Sequence, residues 1–115
     1  RQFRQGGLDL LNVSVGFSTP AAQIPWGPAF LAPVAERVRR EAGLPVASSW
    51  GIEAPADAER VVATGQMDLV MIGRACLANP HYPYHLAQKL KVERPAWVLP
   101  VPSAHWLDRY HRQEV

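Results

Sequence analysis

The sequence holds a single cysteine, Cys76, in 115 residues. An intramolecular disulfide is therefore excluded, and a reducing, cytoplasmic setting is the expectation. No apolar run approaches the roughly 18 to 20 residues that a membrane helix needs, so no membrane association is expected. No block of like charge is present either. The formal net charge is only +2, and Arg37, Arg39 and Arg40 alternate with Glu36 and Glu41. That pattern reads as a solvated helix face, not as a basic patch for nucleic acid. The opening run Arg1-Gln2-Phe3-Arg4-Gln5 is too polar for a signal peptide. An initiator methionine is missing, so residue 1 is expected to follow processing or a preceding segment. Internal repeats and low-complexity tracts are also lacking. What is abundant is apolar surface, at 48% of residues, enough for a core. A chain of this length nevertheless buries only about two-thirds of its unfolded surface, so the loss of a neighbouring element would matter.

Leu8–Ser14 (LDLLNVS) is a short apolar run between Gly6-Gly7 and Gly16 and reads as a buried strand. A Pro-rich loop carrying Ile24 and Trp26 follows, from Pro20 to Pro28. Phe30 to Ala42 has helical periodicity: Phe30, Leu31, Val34, Ala35, Val38 and Ala42 share one face. Pro33 fits that helix only in its first turn, and Gly43 supplies the stop. Pro45–Ser49 (PVASS) is a second strand. Pro55 suits the first position of a second helix, with Asp57 and Glu59 in its positive first turn and a stop at Gly65. Asp68–Ile72 (DLVMI) is a third buried strand. A third helix is expected from about Tyr84 to Leu90, an extended stretch around Pro95, Pro100 and Pro102, and a short terminal helix within Ala104–Gln113. Strands that are continuous apolar runs, alternating with helices, mean a parallel α/β sheet.

Active sites of parallel α/β folds lie at the C-terminal ends of the strands. Here those ends are Ser14-Val15-Gly16, Ser49-Trp50-Gly51 and Ile72-Gly73-Arg74. Each carries a glycine, which permits close approach of a ligand to the backbone. The last two lead toward helices, and exposed N–H groups there would form an anion nest suited to phosphate, with Arg74 as a charge-assisted donor. The plainer reading is that these glycines simply end strands.

The segments LDLLNVSVG, IPWGPAF, LPVASSWGI and MDLVMIGRACLANPHYPYHLA, followed by AHWLDRY, occur in this order. Together they resemble the last three barrel strands and tail of the Old Yellow Enzyme family, in particular its xenobiotic reductase subgroup. DLVMIGRACLANPHYP is the most specific stretch. The resemblance implies strands six to eight of a (β/α)8 TIM barrel, with residues 1–115 forming the C-terminal fragment of an FMN-binding domain. It implies an ene-reductase that takes hydride from NADH or NADPH onto FMN and delivers it to an activated alkene. Matched residue by residue, it assigns Trp50, Gly51, Gly73 and Arg74 to FMN, and Trp26 to the substrate pocket. Trp106 would complete the active site of a neighbouring subunit, which implies a homo-oligomer. Loop anchoring for Trp26 and packing on its own barrel for Trp106 are the plainer alternatives.

No catalytic residue can be assigned. The family's substrate-anchoring His/His or His/Asn pair and its proton-donating Tyr come from earlier strands and have no match here. A (β/α)8 barrel needs roughly 250 residues, so the remaining part of the barrel is an expected partner and the chain alone is expected to be inactive. His81 and His85 are four apart, but no third ligand is suitably spaced and no metal site is expected. His105 and His111 are expected on a polar surface, and Cys76 as a small buried thiol. Two other classes remain open. One is a non-catalytic fragment that self-associates through its exposed strand edges; the other is part of a different FMN barrel, such as a dihydroorotate or dihydrouridine enzyme.

Overall fold

The computed structural model describes residues 2–16 and 19–110. The chain forms two compact units, residues 1–73 and residues 74–115.

The first unit contains α1 (Gln2–Gln5), β1 (Leu11–Val13), α2 (Ala32–Ala42), β2 (Val46–Ser48), α3 (Pro55–Ala63) and β3 (Leu69–Val70). The three strands form one sheet in the order β1-β2-β3, with both pairings parallel. Leu11 pairs with Val46 and Val13 with Ser48, and Ala47 pairs with Leu69. The sheet thus advances one strand per crossover in a single direction. Crossovers of the right-handed kind, which nearly all such connections are, put successive helices on one face of such a sheet.

Local chemistry explains the boundaries. Pro33 lies in the first turn of α2, and Gly43 ends the helix in a left-handed conformation at φ 65°, its N–H donating to the Arg39 carbonyl. Pro55 opens α3. Its end is a Schellman motif, in which Gly65 N–H donates to Val62 O and Gln66 N–H to Val61 O. The core is built from Leu31, Ala35, Leu44, Val46, Ile52, Val61 and Met67, all buried.

Two expectations need correction here. Only β2 is buried at every position, while β1 and β3 are partly exposed, with Leu69 at 55%. Edge strands have a neighbour on one side only, so an apolar run is not sufficient to bury them. Val34, expected on the inner face of α2, is exposed, while Ala35, expected there too, is buried together with Ala32.

Two side chains tie strands to their surroundings. The buried Ser48 hydroxyl donates to the Val13 carbonyl at 2.8 Å, joining β2 to β1. Asp68, at the head of β3, accepts from the Val46 N–H at 2.9 Å and from two nitrogens of Arg39 at 2.8 and 3.0 Å.

The second unit contains α4 (Arg74–Ala78), α5 (Tyr82–Lys89), a 3-10 turn (Pro95–Val98) and α6 (Val101–Leu107). Tyr82, Ala87, Ala96 and Ala104 form its small core. Helix α5 ends in a Schellman motif like that of α3, but with Lys91 in the left-handed position at φ 54°. Arg94 pairs with Asp108 at 2.7 Å and lies 4.6 Å from the Trp97 ring centre. The stretch expected to be extended around its prolines is mostly helical. Pro95 opens the 3-10 turn and Pro102 lies in the first turn of α6, positions where a missing N–H costs nothing. Extended backbone is confined to Leu99 and Pro100. Helix α5 begins two residues earlier than expected, since Pro83 is accommodated in its first turn. Cys76 is half-buried on α4, not buried. His111 and the end of the expected terminal helix lie outside the described residues.

Candidate functional site

The C-terminal ends of β1 and β2 are joined by a loop that folds over a turn. After β2 the chain enters Trp50 at φ 72° and Gly51 at φ 67°. Two successive residues in the left-handed region reverse the chain sharply, and the first of them is a bulky tryptophan for which that conformation is unfavourable. Contacts from the β1–α2 loop hold it. The Ala29 N–H donates to the Gly51 carbonyl at 2.9 Å. Ala29 is itself at φ 50°. The Trp26 and Trp50 ring centres lie 5.4 Å apart with their planes tilted by 56°. Phe30 meets Trp26 edge-on at 5.5 Å. Such aromatic pairs contribute about 0.5–1.5 kcal/mol beyond the area they bury.

Gly51 is required by this packing. A β-carbon there would run into the Gly27 carbonyl oxygen and lie 2.9 Å from the Ala29 nitrogen. The space its missing side chain leaves is thus filled by the chain's own loop. Among the described residues, a β-carbon on Gly73 would meet nothing within 4 Å, and the same holds for Gly16. Gly51 can thus offer its N–H but not its Cα face.

Backbone donors are open at two of the strand ends. Among the described residues, neither the Gly51 nor the Gly73 N–H donates to a protein acceptor. Gly73 is exposed and is followed directly by Arg74, the first residue of α4, also exposed. Backbone N–H groups that lack a protein acceptor are donors of the kind that bind anions. Trp106 lies in the last turn of α6 and is 72% exposed, its ring edge-on to His105 at 5.5 Å. The histidines His81, His85 and His105 are exposed, and among the described residues no three His, Cys, Asp or Glu side chains gather. No helix among the described residues is long and apolar enough to cross a membrane.

No family model matches the sequence. The chain is, however, similar to proteins named NADPH dehydrogenase. It is 40% identical to that of Geobacillus thermodenitrificans over 97 residues, which cover 83% of this chain and 28% of the relative. The enzyme of that name from a second Geobacillus strain is 36% identical, over 78% of this chain and 26% of the relative. The one from Halalkalibacterium halodurans is 32% identical, over 76% and 25%. The chain spans about a quarter of the length of these curated relatives.

The opposite ends of the strands are occupied differently. A cleft of about 300 Å³ there is lined by Arg39, Gly43, Leu44, Pro45 and Asp68. Its charged groups are already paired with each other. The Arg39 guanidinium, and after it the Val46 N–H, hold the Asp68 carboxyl below its ordinary range. That cleft is a structural clamp on β2, β3 and α2. Sequence reasoning did not single out Asp68, although one carboxylate at the head of an apolar run is a signal that a partner is needed. Phe30, expected on the apolar face of α2, instead precedes the helix and packs on Trp26.

Proposed function

We propose that this chain is the C-terminal part of an NADPH-dependent flavin oxidoreductase, an FMN-containing ene-reductase of the Old Yellow Enzyme type, nearest to the xenobiotic reductase subgroup. The observation that carries this reading is 40% identity to a protein named NADPH dehydrogenase over 83% of this chain. The parallel sheet, with its strands in sequential order, supports placing the strands as six to eight of a (β/α)8 barrel. In this reading the exposed edges of β1 and β3 pair with barrel strands supplied from outside residues 1–115.

FMN, when bound, supplies the hydride-carrying chemistry. This chain supplies phosphate recognition and part of the pocket wall. The N–H groups of Gly51 and Gly73 and the Arg74 guanidinium donate to the phosphate oxygens, with Trp50 fixing the turn that presents Gly51. Trp26 lines the substrate pocket. Trp106, on a segment exposed in its own chain, reaches the active site of a neighbouring subunit in a homo-oligomer.

The test is FMN binding by the longer protein. Arg74→Ala should weaken FMN by about 1.5–3 kcal/mol, the range for a hydrogen bond to a charged group. Unchanged FMN affinity in that variant removes the phosphate assignment. A colourless wild-type protein that does not take up FMN removes the whole reading, and its self-association at 115 residues would support the non-catalytic alternative.

A further inference from the structure

We propose that Trp50 is a positioning residue for Trp26, so that the turn after β2 sets the shape of the substrate pocket as well as presenting the Gly51 N–H. The inference rests on the reading of Trp26 as a pocket residue. Its geometric part stands on this unit alone.

Trp26 lies in the Pro-rich loop between β1 and α2 and is 57% exposed. An indole that open would sample several rotamers unless something holds one of its faces. Two rings do so: Phe30, edge-on at 5.5 Å, and Trp50, tilted at 5.4 Å. Phe30 follows four residues later, between the buried Ala29 and Leu31 at the entry to α2. Trp50 belongs to a different segment, fixed by β2, whose three residues are all buried. Trp50 is therefore a contact that references Trp26 directly to β2.

The backbone reinforces this. The Ala29 N–H bond to the Gly51 carbonyl and the close seat of Gly27 on Gly51 hold the two segments together beside the rings. Ala29, Trp50 and Gly51 all have positive φ, so the join consists of conformations that relax if its contacts are lost. A side chain at position 50 that no longer supports the indole would let Trp26 turn, which changes the space offered to a substituted alkene.

A double-mutant cycle on the longer protein, with FMN added to saturation, tests this. Trp50→Leu, Trp26→Leu and the double variant would each be assayed for kcat/KM with a small cyclic enone and with a bulkier alkyl-substituted one. Each single variant should shift the ratio of the two values by about tenfold in the same direction, the scale of a lost pocket contact. The double variant should shift it no further, because both changes remove one arrangement. Trp50→Phe, which keeps an aromatic support, should restore most of the wild-type ratio. In parallel, circular dichroism should show a coupled-indole signal that either single variant abolishes. Independent, multiplying effects on the ratio, or a coupled-indole signal that survives Trp50→Leu, would overturn the positioning role while leaving the flavoenzyme reading intact. A wild-type protein without FMN or alkene reduction would overturn both.

Discussion

The Gly51 carbonyl accepts the Ala29 N–H at 2.9 Å, and the Gly51 Cα faces the Gly27 carbonyl with no room for a β-carbon. One residue thus closes the loop that carries Trp26 onto the turn that carries Trp50. Gly51→Ala would place an alanine at φ 67° and force the Gly27–Ala29 backbone away. The expected cost is about 2–4 kcal/mol, from the left-handed conformation together with overpacking. Gly73→Ala, with no described residue near its β-carbon, should cost much less. Denaturant unfolding of the two variants checks the contrast, and equal losses would mean that the loop gives way freely.

Asp68 links acid stability to the sheet. Hydrogen bonds from Arg39 and then from the Val46 N–H lower its pKa from an ordinary 3.8. The stabilisation is therefore fully present above the unfolded value and disappears as the pH falls through the lower, folded value. Asp68→Asn should be less stable than wild type at neutral pH and should lose less further stability on acidification. The pair is partly exposed, so the difference will be modest and should shrink in high salt. Unfolding midpoints measured at neutral and acid pH decide the matter. Parallel acid losses in the two proteins would show that the clamp does not operate.

Much of the first unit is legible in the sequence because its signals are local. Pro33, Gly43, Pro55 and Gly65 mark helix ends by fixed φ or by the left-handed conformation, and each does so in the structure. Burial is less legible because it depends on neighbours. Leu69 sits in an apolar run yet is exposed, since among the described residues β3 has a strand partner on one side only. The proline stretch misleads for a related reason. Pro95 and Pro102 forbid helix interiors but favour helix starts, and the choice is made by packing of Ala96 and Ala104, both buried. Within the candidate site, sequence reasoning identifies Trp26, Trp50 and Gly51 individually. Their mutual contact comes from long-range folding of a loop onto a turn, which no sequence spacing encodes.

Lys91 offers a stabilising change. It holds the left-handed position of the Schellman motif after α5, with its N–H on Gln88 O and the Val92 N–H on Ala87 O. A side chain there pays a steric penalty that glycine avoids. Lys91→Gly should stabilise the second unit by about 0.5–1 kcal/mol, less the extra freedom glycine gains in the unfolded chain. Thermal unfolding would detect this. A destabilised variant would mean that Lys91 does not adopt the left-handed conformation.

Trp106 supplies the sharpest test of assembly. Its indole is 72% exposed, and Val98, Val101 and Tyr110 of the same unit are exposed as well. A truncation at so open a position removes little packing within its own unit, and surface substitutions of that kind usually fall within about 0.5 kcal/mol. If the ring instead reaches a neighbouring subunit's substrate, its loss acts on turnover. Trp106→Ala in the longer protein should keep FMN and its melting temperature, yet change kcat/KM for alkenes by about tenfold, equivalent to roughly 1.4 kcal/mol of transition-state binding. Mixing it with a subunit defective in FMN binding through Arg74→Ala sharpens the result. In mixed oligomers, an Arg74→Ala subunit still carries Trp106 and should restore normal substrate preference to a neighbour that carries FMN but lacks the ring. Preference that stays altered in the mixture, or a variant that loses stability with kinetics intact, would place Trp106 in the packing of its own chain.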